Sequence, residues 1–266
     1  MITAIFLTIG PTKHVFVERA ITSVLSLPPR IVTHILVVDN SQSDSWHDYL
    51  TARFSADPRV SFLRHPCRIG LCDNWNSPLS AVETQWLMYH HDDDEVIPEA
   101  WAGVAAMLDG DHALVVGGHL LKRPGRMVRS LASPRTVMDM FDNCPKYIST
   151  IIRTDLLRLQ GGWDAAAGHF LDLDGFLHLA IKHGWRAYPS TLGLYRLHGS
   201  NIGQHSVARH YGDYLPHVLA RIFSLTGDPV LRSYACHRLF DYALPATGLA
   251  HRIFRGVARK LNRWFP

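Results

Sequence analysis

No run of about 20 apolar residues occurs in this chain, so the sequence contains no helix able to span a bilayer. Cysteine is scarce. The four present, Cys67, Cys72, Cys144 and Cys236, form no CxxC pair and are too few for a disulfide scaffold, which points to a reducing, cytosolic compartment. The GxGxxG of a dehydrogenase is absent. The segment LTIGPTKH, after the first apolar run, also lacks the glycines and arginine of a sugar nucleotidyltransferase phosphate loop. The opening MITAIFLTIG carries neither a basic n-region nor a cleavage site and reads as a strand. There is no internal repeat and no low-complexity linker, and acidic residues are missing from 249–266.

The 266 residues are 47% hydrophobic with a net charge of +4, enough to bury a full core and too modest a charge to suggest a nucleic-acid partner. Short apolar runs alternate with amphipathic stretches, the pattern of a parallel sheet flanked by helices. Strands are expected over Thr3–Thr8, His34–Asp39, Arg59–Arg64 and Gln85–His90, and helices over Val15–Leu27, Leu71–Val82 and Pro98–Leu108. After Gly110 two β-rich stretches, Ala113–Gly118 and Leu120–Arg129, suggest a hairpin or insertion. A strand lies within Phe141–Arg153, a helix over Asp172–Lys182 and two short strands within Trp185–Leu197. The organisation is an α/β body over 1–204, halved near residue 110, and a helical extension over 205–266. In that extension five cations and a helical apolar spacing between Leu249 and Pro266 fit either a packed terminal helix or contact with an anionic membrane surface.

The chemistry concentrates in Met88-Tyr89-His90-His91-Asp92-Asp93-Asp94-Glu95, where an apolar strand delivers three consecutive carboxylates to one point. Adjacent carboxylates repel, so one takes up a proton or a cation sits among them, and oxygen ligands suit Mg²⁺ or Mn²⁺. The alternative is a solvated loop capping the next helix. Open α/β sheets bind ligands beyond the carboxyl ends of their strands. Asp39, Arg68, Arg196 and His198 all follow strands. Asp172 and Asp174 open a helix, where one could serve as a general base or both could simply favour the helix dipole.

Taken together, five segments in this order resemble the family 2 glycosyltransferases of the GT-A fold, over about residues 2–204. They are ILVVDNSQSD, RIGLCDNWN, YHHDDDEVIPE, GGWD with FLDLDGFLHLAIKHGW, and YRLHGSN. The resemblance implies a GT-A mixed sheet flanked by helices, and inverting transfer of a sugar from a nucleotide diphosphate, most often a UDP-sugar, to a hydroxyl. It implies Asp172 as catalytic base. The nucleotide-sugar site would hold Asp39, Arg68, Asn76, Asp92, Asp94 and Arg196, and a Mn²⁺ or Mg²⁺ site Asp93, Asp94 and His198. By the family's habit the acceptor is a surface glycan or lipid-linked sugar, and the enzyme is peripheral at the inner face of the plasma membrane. The chain departs from the pattern at the end of the first strand, where Thr8-Ile9-Gly10-Pro11-Thr12 stands for an Asn or Tyr-Asn pair, and at His91 for the first Asp of DxDD, Leu171 for the Glu before the base and His178 for an Arg. These departures keep open a second reading, a degenerate nucleotide- or sugar-binding module.

Overall fold

The computed structural model describes residues 1–11, 14–123, 125–197, 214 and 216–243. In chain order β1 (Ile2–Thr8), α1 (His14–Leu25), β2 (Val32–Asp39), α2 (Asp44–Phe54) and β3 (Val60–Arg64) build a parallel half-sheet. Then α3 (Leu71–Asn76) leads to β4 (Trp86–His91), which pairs in parallel with the other edge of β1. The second half comprises β5 (Glu95–Val96), β6 (Leu114–Arg123), β7 (Arg126–Leu131), α4 (Val137–Asp142), β8 (Thr150–Arg153), α5 (Thr154–Leu159), α6 (Leu171–His183) and β9 (Trp185–Arg196). Two further helices follow, α7 over 216–225 and α8 (Pro229–Ala243). The strands form one sheet in the order β3-β2-β1-β4-β8-β6-β9-β5, with β7 paired to β6 off that path.

The elements follow from their side-chain spacing. In β1, Ala4 and Phe6 enter one core layer with Val17, Ile21 and Val24 of α1, while Ile5 enters the other with Val38, Trp75 and Tyr89. That continuous burial is what a central parallel strand requires. In α1 the buried Val17, Ala20, Ile21 and Val24 recur at helical spacing on one face. The Ser43 side chain starts α2 by accepting the Trp46 N–H at 3.2 Å.

Three expected elements take another form. The helix expected over Leu71–Val82 ends at Asn76 and tightens into a 3₁₀ turn over Ser77–Ala81, because Pro78 has no N–H to continue the α ladder. Pro98–Leu108 becomes two 3₁₀ turns, Pro98–Trp101 and Val104–Met107. Trp185–Arg196 is one strand rather than two. Its pairing moves from Val116↔Ala187 to Gly118↔Thr191, so Pro189 sits in a bulge where no ladder donor is needed.

The described part of the extension is packed on the body. Val218 and Ile222 of α7 and Leu231 and Ala235 of α8 are buried in the core layer that contains Phe141 of α4 and Phe176 of α6. The Tyr234 hydroxyl donates to Asp142 at 2.6 Å. The basic segment 249–266 lies outside the described residues, and no helix among the described residues is long and apolar enough to cross a membrane. The chain winds outward from β1 through β2 to β3 and returns to place β4 on the opposite edge of β1. Such a reversal opens a crevice at the carboxyl ends of the strands.

Candidate active site

A cavity of about 590 Å³ occupies that crevice. Leu7 of β1 and Ile9 just after it, and His90 to Asp93 at the end of β4, line one side; α3 contributes Asn74 and Trp75. Cys144, Lys146 and Tyr147, the loop Gly168–Phe170, the start of α6 with Asp172, and Tyr195 of β9 line the other.

At the β4 end, His91, Asp93 and Asp94 offer one ligand atom each, all within 4.8 Å of one another. Asp94 is the deepest. One of its oxygens, Oδ1, accepts the backbone N–H of Arg196 at 2.9 Å. Burial first, and then the charge of Asp93, push its pKa well above the usual carboxylate range. A buried carboxylate in that position is neutralised by a proton or by a cation, and one imidazole with two carboxylates is a donor set a divalent ion accepts. The ring of Tyr147 stacks on Trp75 at 4.3 Å and lies 5.4 Å from the His91 ring, which fixes the imidazole at the cavity edge. His90 lines the cavity without joining this cluster: its Nδ1 donates to the His91 carbonyl at 2.7 Å, and burial pushes its pKa down to about 3, so it is neutral.

Across the cavity Asp172 occupies the first turn of α6, with Oδ1 accepting the Leu173 N–H at 2.8 Å. The Cys144 thiol donates to the Pro145 carbonyl at 3.5 Å; burial and then the nearby Asp172 charge hold it well above its ordinary pKa. The Tyr147 hydroxyl is raised in the same way, by burial and then by Asp172. Two residues on, Asp174 points away from the cavity. The Arg221 guanidinium of α7 donates to Asp174 at 2.7 Å, to Asp164 at 2.8 Å and to His178. His217 adds a 2.9 Å contact to Asp164. Tyr214 packs on Gly168, which has φ +51° and no room for a Cβ, so the extension also shapes the loop that walls the cavity.

The structure separates the residues expected from sequence. Asp92, Asp93 and Asp172 line the cavity, and Asp94 lies directly behind Asp93. Asp39 does not reach it: the residue is fully buried, with Oδ1 accepting the Ser41 N–H at 2.9 Å and Oδ2 3.3 Å from His47 Nδ1. Arg68 is exposed outside the cavity, on a loop clasped by Asn40, whose side chain bonds both the N–H and the carbonyl of Ile69. Asn76 is turned away, because its amide is committed to the Trp163 backbone at 2.8 and 2.9 Å. Gly162, at φ +80°, leaves space for that amide. The side chain two residues earlier, Asn74, faces the cavity instead, and its buried Oδ1 has no protein hydrogen bond. Arg196 pairs with Glu95 and lies over the Phe16 ring rather than in the cavity. His198 lies outside the described residues. His91, read from sequence as a departure, joins the carboxylate cluster. Asn74, Lys146 and Tyr195 escaped the sequence reading altogether. Only the carboxyl-end position of Tyr195 on its strand signalled it.

The profile described as glycosyl transferase family 2 matches residues 13–164, more than half of the chain. No curated protein matches the sequence. Among solved structures, S. aureus TarS 1–349 superposes with a TM-score of 0.67 at 14% identity, over 97% of this chain and 78% of that one. The same protein in complex with UDP-GlcNAc gives 0.70 at 12% identity, over 91% and 72%. The mannosyltransferase PcManGT from Pyrobaculum calidifontis, in complex with GDP-Man and Mn²⁺, gives 0.64 at 13% identity, over 100% and 81%. These likenesses establish a GT-A fold.

Proposed function

This chain belongs to glycosyl transferase family 2, and on that premise we propose that it is a metal-dependent inverting transferase. It moves a sugar from a nucleoside diphosphate, UDP before GDP, to a hydroxyl of a glycan or lipid-linked acceptor. The observation that carries the reading is the pairing of His91, Asp93 and Asp94 with Asp172 across one cavity. The UDP-GlcNAc bound by TarS supports the nucleotide. The Mn²⁺ bound by PcManGT, together with the His91 imidazole, supports Mn²⁺ over Mg²⁺ as the ion.

His91, Asp93 and Asp94 would hold the ion, which when bound offsets charge on the leaving diphosphate. Asp92, at the cavity edge, orients the donor. Asn74 offers its unpaired Oδ1 to a hydroxyl of the donor, since a buried acceptor left without a donor costs about 1–3 kcal/mol. Asp172 takes the acceptor proton as the acceptor oxygen attacks the anomeric carbon. The bond to the β-phosphate oxygen breaks on the opposite face, so the configuration inverts. The Leu173 N–H, donating to Oδ1, holds the Asp172 carboxylate at the start of α6. A role at the cytosolic membrane face, through 249–266, is a further part of this reading. It rests on the basic, acid-free composition of that segment, and loss of liposome sedimentation on deleting it is the result expected.

Calorimetric titration of UDP, GDP and CDP, with and without Mn²⁺, into wild type and Asp93→Ala tests the core of the proposal. Metal-dependent binding of one nucleotide, abolished by the substitution, is expected. No binding of any of them by wild type would leave a GT-A-like module without transferase chemistry. Asp172→Asn should bind the nucleotide as wild type does and lose hydrolysis of the matching nucleotide sugar by about 10²–10⁴-fold, the worth of a general base.

A further inference from the structure

A diphosphate carries more negative charge than one divalent ion neutralises, so the cavity needs a cation of its own. Neither arginine expected from sequence supplies it: Arg196 is paired with Glu95, and Arg68 is exposed elsewhere. Lys146 is the only lysine or arginine that lines the cavity among the described residues. Its ammonium lies 5.6 Å from the centre of the Tyr195 ring, and Tyr195 lines the same cavity. The phenol also responds to the charges around it. Burial drives Tyr195 to about 12, the Lys146 charge opposes the rise, and Asp94, Asp93 and Asp172 add to it. Tyr195 feels Lys146 and the three carboxylates at once, and Lys146 faces the same cavity as His91, Asp93 and Asp172.

We propose that Lys146 is a catalytic residue that holds the β-phosphate of the donor, an inference that rests on the nucleotide-sugar reading above. When transfer occurs, the bond between the anomeric carbon and the β-phosphate oxygen breaks and the bond to the acceptor oxygen forms. The acceptor proton passes to Asp172, and the electron pair of the broken bond stays on the β-phosphate, which gains one negative charge. An ammonium at that oxygen is favoured more strongly after the break than before it, the condition for lowering the barrier. The cation–π contact with Tyr195 keeps the flexible lysine stem extended toward the phosphate.

The test uses the full chain with Mn²⁺ and the nucleoside diphosphate that wild type binds among UDP, GDP and CDP, against its monophosphate. Lys146→Met should weaken the diphosphate about tenfold or more, the loss of one charge-assisted contact, and leave the monophosphate unchanged. Lys146→Arg should restore diphosphate affinity to within a few fold, and Lys146→Gln provides a second neutral variant should the methionine disturb folding. Diphosphate affinity within twofold of wild type in a folded neutral variant would overturn the assignment. So would equal weakening of diphosphate and monophosphate. Failure of wild type to bind any nucleotide would instead remove the transferase reading and this proposal with it.

Discussion

The acidic group at the end of β4 and the acidic group around Arg221 are built from the same side chain and resolve their charge differently. Asp164 and Asp174 share one guanidinium supplied by α7, with His217 and His178 beside it. Asp94 receives a backbone N–H from Arg196, whose guanidinium goes to Glu95, and Asp93 drives its pKa upward. The first group carries its counter-charge in the chain. The second keeps an imidazole and two carboxylates within 4.8 Å of one another, the donor set proposed to hold an ion. A sequence shows three aspartates in a row in one place and scattered aspartates in the other; only the fold reveals that the scattered set shares one guanidinium.

Removing the internal partner should give the largest effect. Arg221→Met leaves Asp174 buried without its cation and should destabilise the protein by about 3 kcal/mol in urea unfolding, the lower end for a broken buried pair because part of the arginine is exposed. Arg221→Lys should recover part of the loss. An unchanged midpoint for Arg221→Met would erase the distinction between the two groups.

The next effect concerns the cluster proposed to hold a cation. Mn²⁺ at about a hundred times its Kd should stabilise wild type by about 2.7 kcal/mol, read as a rise in Tm. Asp94→Asn should abolish that rise while leaving the metal-free protein as stable as wild type or more so, because it removes a buried carboxylate whose charge is disfavoured. An Asp94→Asn protein still stabilised by Mn²⁺ would place the ion elsewhere.

The smallest effect is one of pH. Burial raises Asp174 to about 6, so its folded form binds a proton more readily than the unfolded chain, and stability from this group rises as pH falls from about 6 toward 3.8. Burial, then the Arg221 charge, lowers His178 to about 4, so its contribution is present above 6.5 and is lost as pH falls toward 4. The two slopes oppose each other over most of this range. Relative to wild type, His178→Gln should gain about 1 kcal/mol of stability per unit as pH falls from 6 to 4, since one pKa unit is worth about 1.4 kcal/mol. A variant whose stability followed pH as that of wild type does would contradict the assignment.

Much of the parallel half was legible because its strands are buried on both faces and its helices on one, which writes apolar runs and helical spacing directly into the sequence. Asp92, Asp93 and Asp172 were legible for a similar reason: each follows a strand or opens a helix at the sheet's carboxyl edge. The exchange of Asn76 for Asn74 was not, since two residues on a short helix face nearly opposite ways and only packing against Gly162 and Trp163 decides which faces the cavity. Lys146 and Tyr195 meet through pairing of segments far apart in the chain, which no local pattern records. The single strand Trp185–Arg196 was missed because Pro189 reads as a break, whereas a bulge accommodates it.

The hydrogen bond from the Arg196 N–H to Asp94 joins positions 102 residues apart, alongside the pairing of β5 with β9. Closing so long a segment carries an entropic cost that local contacts do not, and non-local pairings of this kind form late. Pulse-labelled hydrogen exchange during refolding should show the amides of β1 and β2 protected before that of Arg196. As the chain leaves the ribosome, it would then assemble its scaffold first and complete its carboxylate centre last, so that a prematurely ended polypeptide would possess a sheet without the power to bind an ion.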